Sequence, residues 1–375
     1  MKRLSWALAL ALSLSPTQLL AQSNNAPIKV GVILALTGPA ATYGAAERRG
    51  IEAVTEKVNA EGGINGRKVE IVVRDSKTNP TESARLANQM IADDNVVAIV
   101  GDTTSSGTMA FADAVMRAKV PMLPMIGAQS ITDPNYSAFK WVFRMSVGLA
   151  TDLTMSMERL VKDDHKRIVL FYQEDAYGEQ AAGIVKAFAA KNGVEIVDTV
   201  SAGVSTADLT TQATRIRAAK PTAVFLATSM TGLGGGLLRK LDQIGVNVPA
   251  YALVAIVQKQ FIDTAGKSAE RVIAPALANP DEVGPLKELF ALMKNHGGVD
   301  GFGPLLGANA MNAVVQALKK GATDGESIRN TLETMGPIKG YGAGPILYTP
   351  TDHDGWKKDT IFFVTVKDGK FKNLP

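Results

Sequence analysis

Val96-Val97-Ala98-Ile99-Val100-Gly101-Asp102-Thr103-Thr104-Ser105-Ser106-Gly107 is the stretch on which the reading of this chain turns. Its first five residues are apolar and mostly β-branched, the pattern of a strand buried on both faces. Gly101 ends the strand. Four hydroxyl residues follow, and Gly107 leads into a helical pattern over 108–118. A strand that passes through a small polar turn into a helix leaves unpaired backbone N–H groups aimed outward. The partial positive charge there favours a carboxylate or phosphate. Ligands of open α/β sheets sit at the carboxyl ends of strands, where this turn lies. The competing reading is an ordinary connection in which Ser105 or Ser106 caps the helix.

Working outward, the chain alternates strands and helices. Strands are expected at 28–36, 68–74, 96–100 and 120–125, with helices at 45–60, 81–92 and 108–118 between them. Gly62-Gly63 closes the first helix, and Thr81 is expected to cap the second. The pattern then restarts. Helices at 152–162, 178–191, 208–219 and 233–244 alternate with strands at 167–172, 194–200, 223–227, 250–254 and 271–274. Two βαβ series of this kind imply two lobes, each a parallel sheet with helices on both faces. Helices near 282–294, 304–320 and 327–334 are too little for a third α/β domain and are expected to complete the first two. The fold class is therefore α/β with two doubly wound lobes.

The composition narrows the function. Of 375 residues, 46% are hydrophobic and 20% charged, enough apolar material for a large core. The formal net charge is +4, and Lys2 and Arg3 supply two of the 40 basic residues against 36 acidic ones. With no basic stripe interleaved with aromatics, the chain is not a nucleic-acid binder. It has no cysteine, which excludes disulfides, thiolate nucleophiles, iron–sulfur clusters and lipid attachment through sulfur. The first residues are a basic start, an apolar run over 4–14, a break at Pro16, and Leu19-Leu20-Ala21 before Gln22. These features predict a secretory signal peptide, residues 1–21, cleaved after Ala21. The apolar run is shorter than the ~20 residues that span a bilayer. The mature chain is expected to be soluble and periplasmic.

Enzyme constellations are absent. His165, His296 and His353 each stand in polar surroundings that read as surface, and no metal-ligand spacing occurs. There is no Gly-x-Ser-x-Gly elbow, and Ser137-Ala138-Phe139-Lys140 lacks the companion motifs of Ser-x-x-Lys enzymes. Gly232-Leu233-Gly234-Gly235-Gly236 lacks the residues of a phosphate loop and reads as close helix packing. No catalytic residue, metal or cofactor is expected.

Several segments resemble a known family. Leu36-Thr37-Gly38-Pro39-Ala40-Ala41-Thr42-Tyr43-Gly44 and Asn59-Ala60-Glu61-Gly62-Gly63-Ile64-Asn65-Gly66-Arg67 are similar to the first-strand region of periplasmic solute-binding proteins of branched-chain amino acid ATP-binding-cassette (ABC) transporters. Further matches to the same family are Val120-Pro121, Val142-Phe143-Arg144, Asp175-Ala176-Tyr177-Gly178, Gly344-Pro345-Ile346 and Asp368-Gly369-Lys370. The matches run in order along the whole mature chain. The resemblance implies a type I periplasmic binding protein: a non-enzymatic trap whose two lobes are joined by three crossover strands and close over one ligand. Carried over, the crossovers fall near 144–146, 274–275 and 344–347. Lobe 1 is then 26–145 plus 275–345, and lobe 2 is 146–274 plus 346–375.

The same resemblance assigns a ligand site. Ser105 aligns with the serine that holds the ligand carboxylate, with Thr103 and Thr104 on the same wall. Tyr43 and Tyr177 align with aromatic residues facing the ligand from the two lobes. Ile126, Gly127 and Ala128 form the next wall, and Ala128 stands where a threonine is common. Met230 replaces a further tyrosine. Val254 replaces the acid that pairs the ligand's ammonium, and 251–258 contains no Asp or Glu. Asp242 and Asp263, flanking that segment, read as helix-surface or cap positions. A buried ammonium without a partner costs several kcal/mol. The implied ligand is therefore a small carboxylate, an aromatic or other organic acid or a branched-chain amino acid, with the departure at Val254 favouring one without an α-ammonium. Met230, Val254, Ile126 and Phe302 suit an apolar body. The implied partner is an ABC permease in the inner membrane, and the protein is expected to be a monomer. A ligand-sensing receptor or amide-operon regulator of the same fold is the alternative.

Overall fold

The computed structural model describes residues 26–281, 286–342 and 344–374. The signal-peptide expectation for 1–21 and the start of the helix expected at 282–294 lie outside the described residues. Two sheets organise the chain. The first contains β1 (Ile28–Leu34), β2 (Val69–Asp75), β3 (Ile99–Gly101) and β4 (Met122–Leu123) in the order β2-β1-β3-β4, all parallel. Alternation along β1 sends Val30, Val32 and Leu34 to one face and Ile33 to the other. The first face packs on α1 (Ala41–Ala60) and α10 (Gly303–Lys319). The second packs on α2 (Pro80–Gln89) and α3 (Ser105–Ala118). Helix α10 is apolar nearly all round, so it is buried along almost its whole length, as such a helix must be.

The second sheet has seven strands in the order β11-β10-β9-β8-β7-β5-β6. They are β5 (Arg167–Gln173), β6 (Glu195–Ala202), β7 (Ala223–Ala227), β8 (Ala250–Tyr251), β9 (Val272–Ala276), β10 (Phe362–Lys367) and β11 (Lys370–Leu374). Strands β5 to β9 pair in parallel, while β10 and β11 add antiparallel to the β9 edge. Val169, Phe171, Val224 and Leu226 face α6 (Thr210–Ala219), α7 (Thr231–Gln243) and α8 (Lys259–Ala265). Ile168, Leu170 and Phe225 face α4 (Leu149–Lys162) and α5 (Ala176–Asn192). The glycines of α7 serve helix packing: a Cβ on Gly235 would lie 3.0 Å from the Cβ of Thr264 and 3.1 Å from the nitrogen of Ala265.

The last hundred residues are shared between the lobes. After β9, the chain returns through α9 (Lys287–Met293) and α10 to the first core, and α11 (Gly325–Thr334) packs on α10. It then crosses back to form the β10–β11 hairpin. That hairpin escaped the sequence reading although its turn signal is present. Asp368 and Gly369 both have positive φ, the two-residue loop that twisted hairpins prefer.

Three local expectations change. Helix α1 starts at Ala41, so Tyr43 lies in its first turn and not in a preceding loop. The cap of α2 is Asn79, whose side chain accepts from the Glu82 N–H (3.1 Å), with Pro80 at the first helical position where no N–H is needed. His353 is fully buried, against the surface reading. Its ring stacks between Phe139 and Phe143, each 4.2 Å away, and Nδ1 is 2.9 Å from the carbonyls of Phe139 and Val142. His165 and His296 are partly exposed. Among the described residues no cluster suited to a metal ion occurs, and no helix is long and apolar enough to cross a membrane.

Candidate ligand-binding cleft

The turn after β3 is built by constraint. A Cβ on Gly101 would sit 1.9 Å from the carbonyl oxygen of Ile33, and its φ is +116°, so only glycine ends the strand here. Asp102 follows, buried, and its carboxylate gathers the turn. Oδ1 accepts from the N–H groups of Thr103 and Thr104, and Oδ2 accepts from the Ser83 hydroxyl at 2.5 Å. The Thr104 side chain caps α3 by accepting from the Gly107 N–H at 3.1 Å. The capping role expected of Ser105 or Ser106 therefore belongs to Thr104.

This assigns the hydroxyls of the turn differently from the sequence reading. Thr103 and Thr104 do line the cleft, but their polar groups are committed. The Thr103 hydroxyl donates to Glu47 at 2.7 Å and accepts from the Ala35 N–H at 3.1 Å. Ser105 is only 4% exposed. Its hydroxyl and its N–H make no hydrogen bond to the described residues, although it lines the same space. Of the three hydroxyls of this turn that line the cavity, that of Ser105 is the one left unpaired among the described residues.

Ser105 lines a cavity between the two sheets, about 580 Å³ with its open mouth included. Tyr43 reaches across it. Its hydroxyl contacts the carbonyl oxygens of Ser229 and Ala255, the latter at 2.7 Å, both beyond carboxyl ends of strands in the second sheet. The ring tilts against Phe302 with centroids 5.9 Å apart. On the next wall, Ile126 and Gly127 line the cavity. A Cβ on Gly127 would lie 3.0 Å from Cε2 of Tyr177, so the glycine lets the tyrosine of the opposite lobe close in. Tyr177, in the first turn of α5, has a hydroxyl with no hydrogen bond to the described residues.

Ala128 is the exception among the expected site residues. It is fully buried behind the wall and does not line the cavity. Its carbonyl is held by the Arg144 guanidinium at 2.7 Å, which also reaches Gly127 O at 3.1 Å and the Asp354 carboxylate. Met230 and Val254 line the second-lobe side. Gln173 fixes the Met230 loop by accepting from the N–H of Ser229 (2.8 Å) and of Met230 (3.3 Å).

The reading missed the acids. Glu47, Asp152 and Asp175 all line the cavity, and no Lys, Arg or His is among its lining residues. The count around Val254 was right that 251–258 holds no acid, but the acid arrives from another element. Asp152, in the first turn of α4, places both carboxylate oxygens 3.1 Å from the Val254 nitrogen. A signal for Glu47 was present: it stands four residues from both Tyr43 and Ile51, on the core-facing stripe of α1.

Burial pushes Glu47 and Asp152 up to about 8 and Asp102 up to about 6, against the pull of their hydrogen bonds. The native state therefore keeps protons that the unfolded chain releases above the ordinary carboxyl range. Their contribution to stability is full below that range and is lost as pH rises toward about 8. The urea midpoint of ligand-free protein is expected to fall between about pH 6.5 and about pH 8.5, with Glu47→Gln flattening the slope. Burial lowers the His353 pKa, and its opposing contribution ends near its ordinary value of ~6.5. A profile flat across that interval would mean that these carboxyls are solvated.

Comparison with known proteins decides the family. A family model described as "Periplasmic binding protein" matches residues 27–370. The chain belongs to the periplasmic binding protein family. Its members are solute-binding proteins, not enzymes, and the family is periplasmic. This periplasmic binding protein is 28% identical over 272 residues to the Leu/Ile/Val/Thr-binding protein of Salmonella typhimurium, covering 71% of this chain and 72% of that one. Two solved structures share its fold. The LivJ substrate-binding protein of Streptococcus pneumoniae in complex with isoleucine has a TM-score of 0.82 at 21% identity, covering 93% of this chain and 99% of that one. A solute-binding protein from Rhodopseudomonas palustris BisB5 in complex with 3,4-dihydroxybenzoic acid has a TM-score of 0.82 at 24% identity, covering 93% and 96%. Two such different ligands at equal likeness mean that the fold does not choose between them.

Proposed function

We propose that this periplasmic binding protein is the exported, monomeric solute receptor of an ABC importer, capturing a small carboxylate-bearing ligand between lobe 1 (26–145 plus 275–345) and lobe 2 (146–274 plus 346–375). The observation that carries the reading is Ser105: a buried serine at a helix start, with hydroxyl and N–H both unpaired, facing an inter-lobe cavity. Buried polar groups are rarely left unpaired, and this pair suits an anionic oxygen. The ligand carboxylate docks there first. Lobe 2 then turns in, bringing Tyr177 and Met230 onto the ligand and Tyr43 onto the carbonyls of Ser229 and Ala255. Closure excludes water, and the closed pair of lobes is what the permease recognises. A ligand drives this equilibrium only through its preference for the closed form.

The test is calorimetry and thermal shift of mature protein against amino acids, aromatic acids and aliphatic acids. True ligands stabilise by RT ln(1+[L]/Kd). Ser105→Ala is expected to weaken binding by roughly 10- to 100-fold, the worth of a hydrogen bond to a charged group. Unchanged affinity in that variant would remove Ser105 from the site.

A further inference from the structure

We propose that Glu47 is a specificity-determining residue that hydrogen-bonds a hydroxyl group on the ligand, so that the solute is a hydroxylated carboxylic acid and not one with a wholly apolar body. This rests on the receptor reading above and adds a second recognised group. Glu47 is 1% exposed and lines the cavity. Its Oε2 accepts from the Thr103 hydroxyl at 2.7 Å, and that hydroxyl oxygen is itself held by the Ala35 N–H at 3.1 Å. Its Oε1 makes no hydrogen bond to the described residues. Behind it, α10 meets the α1 backbone at this position through Gly307. Thr103 on one side and α10 on the other therefore hold the free oxygen in place.

The neighbouring polar groups of the cavity are already engaged. Asp175 accepts from the Gly178 N–H at 2.9 Å through Oδ1 and from the Gln173 side chain at 2.7 Å through Oδ2. Asp152 sets both oxygens on the Val254 N–H. Tyr43, one turn before Glu47, has its hydroxyl on the carbonyls of Ser229 and Ala255. Of the three acids that line the cavity, only Glu47 keeps an oxygen with no partner among the described residues. Buried polar atoms are rarely left so. Among the described residues no Lys, Arg or His lines the space to take it. An apolar ligand surface against this wall would seal the oxygen in unpaired, whereas a ligand hydroxyl pairs it.

The choice of a hydroxyl follows from what a carboxyl can offer. A cation needs it ionised, and a pure acceptor needs it protonated. A hydroxyl donates and accepts, so it pairs with either form. Burial pushes Glu47 up to about 8, against the Thr103 hydrogen bond and with Asp102 adding to the rise, so both forms occur around neutral pH.

The experiment uses probes matched at one carbon: 3-phenylpropanoate, 3-phenyllactate and phenylalanine; 4-methylpentanoate, 2-hydroxy-4-methylpentanoate and leucine; and the ring pair benzoate and 3,4-dihydroxybenzoate. Each is titrated by calorimetry into mature wild type, Glu47→Met, Glu47→Gln and Asp263→Asn. Asp263 is exposed on α8, paired with Lys259 at 2.6 Å, and serves as the control. In the skeleton that binds wild type, the hydroxylated member is expected to bind roughly 10- to 100-fold tighter than its deoxy partner. Glu47→Met is expected to collapse that ratio toward one, and Glu47→Gln, which still donates and accepts, to restore most of it. A merely structural carboxyl would change stability and leave the ratio alone. The wild-type ratio needs no variant, so it stands as a test even where Glu47→Met fails to fold. A deoxy or amine-bearing member binding wild type as tightly as the hydroxylated one would overturn the Glu47 assignment and leave the receptor reading intact. An unchanged ratio in folded Glu47→Met would do the same. No binding by any probe would overturn both.

Discussion

Gly307→Ala is expected to destabilise the protein strongly although it adds one methyl group. Helices α1 and α10 cross in backbone contact. A Cβ on Gly307 would lie 2.0 Å from the Glu47 carbonyl oxygen, and one on Gly50 would lie 2.3 Å from the Pro304 carbonyl oxygen. Neither obstacle is a side chain that can rotate away, so the helices must separate. Overpacking of this kind costs about 1–3 kcal/mol and sometimes more, against a gain of up to ~1 kcal/mol from replacing a helical glycine. Helix α1 also carries Tyr43 and Glu47, so the displacement reaches the cleft. The expected result is a lower urea midpoint together with weaker ligand binding. Gly183→Ala, on the exposed side of α5 with nothing within 4 Å of the added methyl, is expected to be neutral or stabilising by up to ~1 kcal/mol. Equal midpoints for Gly307→Ala and wild type would mean that the two helices do not meet so closely.

Arg144→Met is the second large effect. The guanidinium is wholly buried, and its own backbone is bonded to the 353–355 segment: its N–H donates to His353 O at 2.9 Å and its carbonyl accepts from the Gly355 N–H at 3.0 Å. The side chain binds Asp354, Gly127 O and Ala128 O, tying the cleft wall to the 353–355 segment. Burial lowers its pKa, and Asp354 opposes that shift. Removing one member of a buried pair costs about 3–5 kcal/mol, because the other is left uncompensated. Urea denaturation should show a loss of that size for Arg144→Met. Arg144→Met with Asp354→Asn should recover part of it, since no lone charge remains. Additive single effects would show that the two side chains act independently.

Much of the architecture follows from local pattern. The apolar runs of β1, β3, β5 and β7 are buried on both faces, as a strand in a doubly wound sheet must be, and they sit within a few residues of where they were expected. The differences have local causes. Asn79-Pro80 outcompetes Thr81 as the start of α2 because asparagine caps well and proline needs no N–H. Histidine in polar sequence surroundings looks exposed, yet His353 is buried because Phe139 and Phe143 arrive from a segment two hundred residues away.

The cleft divides along the same line. That a hydroxyl-rich turn follows a buried strand and leads into a helix is legible in the order of residues, because strand ends and helix starts are local events, whereas the expectation that Tyr43 and Tyr177 face a ligand came from the family resemblance alone. Which cavity-lining hydroxyl stays free was decided partly by folding: Glu47 and Ala35, from other elements, engage the Thr103 hydroxyl, while the Gly107 N–H takes that of Thr104 locally, leaving Ser105. The acid beside Val254 likewise lies 102 positions away in the chain, on another helix. Spacing along a sequence can report what one turn or one helix face holds, whereas charge balance in a cavity depends on every wall that encloses it.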